Sequence, residues 1–406
     1  MLVVSEELTV FYYQLTTINL FSPMFCFPRA QVHPIGLDIG HDSIKMMQLA
    51  RDGKSLSVYA AAIAPLPAEA RTHPHHHLPL AINAIRQVLR QRQFQGRKVV
   101  VALPRKDLHI RNLRLPQGSA DADSTNVQIE AQAILPIDVD QSQVQFLQAG
   151  EARDAGVIRD EIIVMAALNK DVAAFIDVLS CAGIELAALD SEPCALYRLV
   201  DRFIRRRDDE VDAHVVVDVG WERSQIVIGK GRQLSVIRAI EVGGRHFQEA
   251  VSQKLGITLE EAQTLRRRLM DPAANTQPFD ERDPVRQAAA DACRSAMQEL
   301  AREISLCLRY HAVTFRGRQP ARVRLVGGEA ADPQLRSVLN KLLPIPCRAA
   351  QPLQSVDTSS MGAADRNVSM SQWGMAFGLA LRCTEGPFAY REGRPRETLL
   401  AHAQVA

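Results

Sequence analysis

Residues 35 to 49 read Ile-Gly-Leu-Asp-Ile-Gly-His-Asp-Ser-Ile-Lys-Met-Met-Gln-Leu. The first part is a short apolar run that ends in Asp38-Ile-Gly40, and a second run with the composition of a β-strand follows from Ser43 to Leu49. Two such runs separated by a glycine turn indicate a β-hairpin. Glycine leaves room for backbone N–H groups to point at one spot, and a concave group of N–H donors binds phosphate oxygens.

The same pattern returns about 180 residues later. His214-Val-Val-Val-Asp218-Val-Gly220 is predicted to be a strand with the same ending, and Ser224 to Gly229 is predicted to be its returning strand. A third strand, Arg322 to Val326, runs into the glycine pair Gly327-Gly328. Two glycine turns that face each other across a cleft would hold a polyphosphate from both sides. The glycine pair would let a base or a ribose approach the backbone.

These three elements supply the predicted nucleotide site. Asp38 and Asp218 offer carboxylate oxygens to Mg²⁺ through water, because Mg²⁺ keeps several of its waters and touches few carboxylates directly. Ser43 and Lys45 lie just beyond the first turn, where a hydroxyl and an ammonium group reach phosphates. The predicted binding residues of the three elements are Asp38, Gly40, Ser43, Lys45, Asp218, Gly220, Ser224, Gly327 and Gly328.

Length and composition restrict the classes of function. The 406 residues are enough for two or more domains, and 47% hydrophobic with 23% charged residues is the balance of a globular protein. The 48 Lys+Arg and 46 Asp+Glu give a net charge of +2, so electrostatics gives no reason to expect nucleic acid as a ligand. The seven cysteines form no Cys-x-x-Cys pair, which indicates thiols in a reducing compartment rather than a disulfide framework.

The N-terminus does not have the pattern of a membrane anchor. No run reaches the roughly 18 to 20 apolar residues of a membrane-spanning helix. Residues 11 to 27 are rich in apolar side chains, but Gln14 and Pro23 are among the residues that interrupt them, and a leading basic region is missing, so a signal peptide is not indicated. Residues 1–33 are predicted to be a disordered extension, or to include an over-extended start with Met24 as the true initiator.

Further elements are predicted between the two hairpins. Residues 54 to 64 have the pattern of a third strand, and residues 80 to 93 have helical spacing of apolar residues. Residues 71 to 79 carry four histidines between prolines and are predicted to be a loop. After a buried strand at residues 98 to 103, the order strand–helix–strand–strand–helix indicates an inserted α+β module.

The order Asp-Ile-Gly, Asp-Val-Gly, Val-Gly-Gly resembles the phosphate and adenosine motifs of the actin-like ATPases. Within that superfamily the chain more closely resembles the PilM family of cytoplasmic type IV pilus assembly proteins, which are relatives of FtsA. The resemblance covers residues 34 to 383. The stretches that carry it are Gly36–Lys45, Gln128–Ile137, Leu189–Pro193, Glu241–Gly244, Leu259–Ala262 and Trp373–Arg382.

The resemblance implies an α/β fold of the actin-like ATPase (ribonuclease H-like) type, in which two lobes close over ATP. It implies an inserted α+β subdomain of the FtsA and PilM type, which is called 1C and is SHS2-like. The expected division of the chain is lobe I at 34–105 and 186–208, subdomain 1C at 106–185, lobe II at 212–383 and a polar tail at 384–406.

The resemblance also implies a function. It implies a scaffold of a pilus or related secretion machine, which binds ATP with Mg²⁺ and recruits the N-terminal cytoplasmic tail of a PilN-like inner-membrane protein. The chain would be cytoplasmic and peripheral to the inner membrane through that partner, with no span of its own. Self-association is a further contact that the resemblance allows. Asp190 and Glu192 are candidates to position a water on the γ-phosphate, with a helix-capping role as the alternative.

The second phosphate turn departs from the family's pattern. This turn is usually built from small residues, but here it carries Trp221 and Glu222, followed by Arg223. A bulky ring and an anionic side chain beside a phosphate would crowd it and repel it, although Arg223 offsets part of the charge.

Other departures lie around the same cleft. His41 and Asp42 stand where small hydroxyl residues are common, and Glu329 stands where a third glycine is usual. Gln263 and Arg266 occupy positions where relatives often have Glu and Lys near the ribose, and both are retained as candidate nucleotide contacts. We therefore expect at most weak ATPase activity. A nucleotide-free pseudo-ATPase, which uses the fold only as an interaction platform, is the alternative.

Overall fold

The computed structural model describes residues 30–53, 55–118, 124–154, 156–270, 284–315 and 318–384. The predicted N-terminal extension and C-terminal tail lie almost wholly outside these ranges. Within them, no helix is both long and apolar enough to cross a membrane. The six cysteines in the described ranges are free thiols.

The chain forms three sheets with helices packed against them. The first half contains β1 Gln31–Val32, β2 Ile35–Ile39, β3 Ser43–Asp52, β4 Ser55–Pro65, α1 Ala68–Thr72, α2 Pro74–Gln91, β5 Lys98–Ala102, β6 His109–Pro116, α3 Ser124–Ile134, β7 Ser142–Asp154, β8 Val157–Leu168, α4 Asn169–Ser180, β9 Glu185–Asp190 and α5 Glu192–Asp201. The second half contains β10 Ala213–Val219, β11 Ser224–Lys230, β12 Gln233–Ile240, α6 Gly244–Leu255, α7 Leu259–Met270, α8 Pro284–Phe315, β13 Val323–Val326, α9 Pro333–Leu342, β14 Cys347–Ala349, α10 Ala363–Arg366 and α11 Gly374–Ala380.

The two large sheets repeat one design. In the first, which we call the lobe I sheet, the order is β1-β3-β2-β5-β9, with β4 also paired to β3. In the second, the lobe II sheet, the order is β12-β11-β10-β13-β14. Each sheet joins an antiparallel hairpin to parallel strands, which are β2, β5 and β9 in the first and β10, β13 and β14 in the second. The carboxyl ends of those parallel strands therefore share one edge of each sheet.

The central strands read as apolar runs because both of their faces are covered. Val215, Val216 and Val217 of β10 are all fully buried, as expected for a strand that packs on both sides. The third sheet has the order β6-β8-β7, is antiparallel throughout and carries α3 on one face. It forms the α+β module predicted for this part of the chain.

The last helix of the described chain fills the space between β2 and α5. A Cβ atom on Gly36 would overlap the backbone of α11, and one on Gly378 would overlap the backbone of α5 at Ala195. Trp373 and Phe377 of this closing segment are fully buried. Glycine is required at both crossings because the two backbones approach each other directly.

The prediction of a loop at residues 71 to 79 is wrong. Helix α1 ends at Thr72, and α2 begins at Pro74 and continues through Pro79. Proline is favoured in the first turn of a helix, because the N–H groups there have no partner within the helix. Residues 345 to 370 contain β14 and α10. This segment covers the edge of β4, where Val58 N donates to Asp357 O over 2.8 Å.

One buried hydrogen bond joins helix α5 to the lobe II sheet. The Tyr197 hydroxyl donates to the carbonyl of Gly231, in the turn between β11 and β12, over 2.6 Å. We expect Tyr197→Phe to lower the free energy of unfolding by about 1–2 kcal/mol, because it leaves a buried carbonyl without this donor. Chemical denaturation would measure the loss. Tyr59→Phe, at an exposed position, is the control, and equal losses in both variants would contradict the assignment.

Candidate functional site

The first phosphate turn is a tight hairpin. Asp38 of β2 lies opposite Lys45 of β3, and Lys45 Nζ is 3.1 Å from Asp38 Oδ2. Gly40 N donates to Ser43 O over 3.1 Å and closes the turn. A Cβ atom on Gly40 would lie 3.0 Å from that same carbonyl oxygen, so the turn is shaped for glycine. The structure thus brings together all four residues predicted for this element.

The second turn is held from behind by a helix. Gly220 O and Trp221 O accept hydrogen bonds from Gly244 N and Arg245 N, at 2.9 and 2.8 Å. A side chain on Gly243, the residue just before α6, would overlap this turn, so glycine is needed at that position. Ser224, predicted to contact the nucleotide, is fully buried and donates to Val242 O over 2.7 Å. Its hydroxyl is therefore used within lobe II.

The third element lies directly on the second. Gly327 has a φ of 94°, and a Cβ atom there would overlap Asp218 Oδ1. The chain that leaves β13 can therefore pass the Asp218 side chain only with glycine at this position. A Cβ atom on Gly328, by contrast, would meet nothing within 4 Å. The glycine pair thus combines one closely packed position with one that faces open space.

Arg105 is a cleft residue that sequence reasoning missed. It opens a short 3₁₀ turn, Arg105–Asp107, after β5, and its Nε donates to Glu192 Oε2. Its Nη2 lies 3.5 Å from Asp218 Oδ2 across the cleft. The available signal was position, because Arg105 follows the carboxyl end of a strand that is parallel to β2. Side chains that follow neighbouring parallel strands meet at one edge of the sheet.

Charged side chains lie close together on the cleft floor, and burial among them shifts the pKa of Asp218. Burial raises the pKa of Asp218 to about 6, the charges of Glu192 and Asp38 add to the rise, and Arg105 opposes it. The carboxylates predicted for Mg²⁺, Asp38 and Asp218, each lie beside a cation of the protein. In the described part of the chain no group of three or more His, Cys, Asp or Glu side chains is placed to hold a metal ion. The carboxylates of the cleft floor are therefore paired with Lys45 and Arg105.

The residues that depart from the family's pattern contact one another at the mouth of the cleft. The ring of His41 stacks on that of Trp221, with centroids 4.5 Å apart and planes 9° apart. His77 of α2 lies behind His41, and its Nε2 is 3.1 Å from Gly40 O. Burial lowers the pKa of His41 to about 4, so the imidazole is neutral near pH 7. The two phosphate turns are thus joined by a neutral ring stack.

A second group of contacts joins the lobes beside this stack. Asp42, in the first turn, accepts hydrogen bonds from Gln263 Nε2 at 3.1 Å and from Arg267 at 2.8 Å, both in α7. Arg71 of α1 completes the group, since it donates to Gln263 Oε1 over 3.4 Å. The predicted contact residue Gln263 therefore lies at the cleft, with its amide bonded to lobe I.

Arg266 points to a different place. It is buried, and its Nη2 lies 2.7 Å from Glu329 Oε2 and 2.9 Å from Asp332 Oδ2. Its guanidinium also lies over the ring of Phe247, at 5.1 Å from the centroid. The side chain predicted to approach the ribose is thus engaged inside lobe II, together with the glutamate that follows the glycine pair.

The two weak catalytic candidates have cationic partners. Asp190 is buried, and its oxygens bond Arg198 and Arg382. Burial alone would raise the pKa of Asp190, but these two guanidinium groups outweigh it and hold the pKa below its usual range. Glu192 bonds Arg105, as described above. The residue that caps helix α5 is Ser191, whose side chain accepts from the N–H of Cys194.

The arrangement can be compared with known proteins. A family model described as "Type IV pilus assembly protein PilM" matches residues 36–384. Among solved structures, the chain is similar to one described as "PilM-PilN type IV pilus biogenesis complex", with a TM-score of 0.69 and 22% identity, over 87% of this chain and 99% of that one. It is also similar to the ethanolamine utilization protein EutJ from Carboxydothermus hydrogenoformans, with a TM-score of 0.49 and 14% identity, over 86% and 89% of the two chains.

The family model and the similarity to the PilM-PilN structure establish the family and the fold. The actin-like ATPase fold predicted from the sequence is confirmed. The family model spans nearly all of the region for which the resemblance was predicted. The chain belongs to the PilM family of type IV pilus assembly proteins.

Proposed function

We propose that this chain is an ATP-binding scaffold of type IV pilus assembly, or of a related secretion machine. The proposed ATP binding rests on one observation, which is the pair of glycine turns at one cleft. Lys45 lies beside the first turn, and Gly327-Gly328 lies against the second. Backbone N–H groups of both turns and the Lys45 ammonium would hold the phosphates, and the open backbone at Gly328 would face the nucleoside. The Mg²⁺ contacts predicted at Asp38 and Asp218 are not part of this proposal, because both carboxylates already have cationic neighbours.

The proposed role of ATP is that of a conformational ligand. A ligand shifts the balance between open and closed lobes only as far as it binds one of them better. In this chain the contacts that would respond are those between the lobes, His41 with Trp221 and Asp42 with α7. Binding without efficient turnover fits the two candidate carboxylates, since Asp190 and Glu192 are held by arginines.

Calorimetry and thermal unfolding test the proposed ATP binding. We expect ATP to give measurable heat of binding, and a rise in unfolding temperature, at millimolar concentration. A lack of both signals would rule out the ATP-dependent scaffold. It would favour the second candidate, a nucleotide-free interaction platform of the same fold, for which the His41–Trp221 stack at the cleft mouth is the supporting observation.

We propose that the partner is the N-terminal cytoplasmic tail of a PilN-like inner-membrane protein, bound between lobe I and the inserted module. The support is the family, together with the similarity to a structure described as a complex of PilM with PilN. Through that partner the chain would be peripheral to the inner membrane. Self-association is a further proposal, and analytical ultracentrifugation with and without ATP would test it.

A labelled peptide provides the test of the partner. We expect the tail peptide of a PilN-like protein encoded beside this chain to bind in fluorescence anisotropy, and a scrambled peptide of the same composition to remain free. Binding of both peptides, or of neither, would contradict the proposed partner. Repeating the titration with saturating ATP would measure the coupling between the two sites, which must be reciprocal at equilibrium.

A further inference from the structure

Two carboxylates of the cleft floor hold one guanidinium group. Arg105 Nε donates to Glu192 Oε2, and Arg105 Nη2 lies 3.5 Å from Asp218 Oδ2. These two carboxylates come from separate elements, namely the start of α5 and β10. A third carboxylate, Asp38 of β2, pairs with Lys45 in the first turn. Only the tertiary fold brings these elements to one cleft.

Such a cluster requires a cation. Carboxylates that are held close together and partly removed from water repel one another, and the repulsion grows as the local dielectric falls. Where carboxylates meet nucleotide phosphates, the cation is commonly Mg²⁺, held through one or two carboxylates and the phosphates themselves. Here the position between Glu192 and Asp218 is taken by a side chain that cannot lose its proton.

The remaining carboxylate is also neutralised from within the protein. Lys45 Nζ lies 3.1 Å from Asp38 Oδ2, next to the first turn. The arrangement is therefore that of a charge cluster completed by two basic side chains.

We propose that Arg105 is the resident cation of this cleft, and that the cleft takes nucleotide phosphates without a divalent metal ion. The choice of nucleotide as the ligand rests on the proposed function, whereas the role of Arg105 toward the carboxylates does not. The arginine has a single charge spread over a planar group and does not activate water as a metal ion does. Arg105 also pairs with Glu192. The contact that replaces the metal therefore also neutralises a carboxylate that would otherwise repel the phosphates.

The first experiment needs no nucleotide. We expect Arg105→Gln to lower the unfolding temperature in EDTA, because Glu192 and Asp218 lose their shared cation. We expect millimolar Mg²⁺ or Mn²⁺ to restore much of that loss, since an ion that binds only the folded state stabilises it. The wild type and Lys106→Gln, which removes a neighbouring exposed cation, should respond to neither ion. Arg105→Lys keeps the charge and should behave like the wild type.

The outcomes of this experiment decide whether Arg105 is the resident cation. If Mg²⁺ stabilises the wild type as strongly as it stabilises Arg105→Gln, Arg105 is not the resident cation. A loss of stability in Arg105→Gln that no divalent ion repairs would overturn the inference in the same way. Should Arg105→Gln fail to fold, Arg105→Lys still decides, because a new response to Mg²⁺ in that variant would contradict the charge-based role.

The second experiment adds ATP, with calorimetry in Mg²⁺ and in EDTA. For the wild type we expect affinities that differ by less than about threefold, and for Arg105→Gln a preference for Mg²⁺ of at least about tenfold, which corresponds to roughly 1.4 kcal/mol. A wild type that binds ATP only with Mg²⁺ would overturn this inference and leave the proposed function intact. A wild type that binds no ATP in either buffer would overturn the proposed ATP binding, and the experiment without nucleotide would still decide the role of Arg105.

Discussion

Replacing Arg266 by methionine is expected to lower the free energy of unfolding by about 3–5 kcal/mol, the usual cost of breaking a buried ion pair by removing one partner. The side chain is only 4% exposed and bonds both Glu329 and Asp332. Methionine fills much of the same volume but leaves two buried carboxylates without their cation. Asp332 additionally caps α9 through the N–H groups of Gln334 and Leu335, so the damage extends to that helix.

Arg267→Met is the matched control for this prediction. The neighbouring Arg267 is about half exposed and pairs with Asp42 at 2.8 Å, and exposed pairs contribute at most about 1 kcal/mol. Chemical denaturation of both variants would measure the difference. A small and equal loss in the two would contradict a structural role and return Arg266 to the ribose contact predicted from the sequence. Arg266→Met with Glu329→Gln should recover part of the loss, because one uncompensated charge is removed.

Removal of the Trp221 ring is expected to raise the affinity for ATP by about two- to tenfold, that is by roughly 0.5–1.4 kcal/mol. The His41–Trp221 stack joins the two phosphate turns, and a phosphate that enters between the turns must separate the rings. Aromatic pairs contribute about 0.5–1.5 kcal/mol beyond their buried area, and that contribution no longer opposes binding in Trp221→Ala. Calorimetric titration with ATP would measure the change.

Three further variants make this prediction specific. His41→Ala should have a similar effect, and the double variant should gain little more, because both changes remove one contact. Adding Glu222→Gly to Trp221→Ala should raise the affinity further by removing an anionic side chain beside the phosphates. Tyr59→Ala, at an exposed position of β4, is the control and should leave ATP affinity unchanged. A lower affinity in Trp221→Ala would show that the ring assists the nucleotide instead of blocking it.

Local patterns in the sequence were enough to predict many elements of this fold. The hairpins β2–β3 and β10–β11 are visible because apolar runs with a glycine turn are a property of neighbouring residues. The α+β insertion is visible for the same reason, from the order of its elements. The helical start at Pro74 is not visible in this way, because a run of histidines and prolines predicts a loop, although proline fits the first turn of a helix.

The sequence did not show which polar side chains bond each other. Asp42 and Gln263 are 221 residues apart, and Arg105 and Glu192 are 87 apart, yet each pair bonds directly. Arg266 was expected at the ribose but lies inside lobe II, and Ser224 bonds the backbone behind its own turn. A side chain's partner depends on which strand ends share an edge and on how the lobes pack, and neither is encoded in the spacing of residues.

The sequence by itself determined the two glycine turns, the glycine pair after β13 and the family to which the chain belongs. It also identified the unusual residues of the cleft, His41, Asp42, Trp221 and Gln263, one by one. Only the tertiary structure decided that these residues contact each other across the lobes, and that Arg105 lies between the carboxylates. The physical reason is that turns form from short-range backbone preferences, whereas ion pairs and ring stacks require the packed core to bring distant strand ends together.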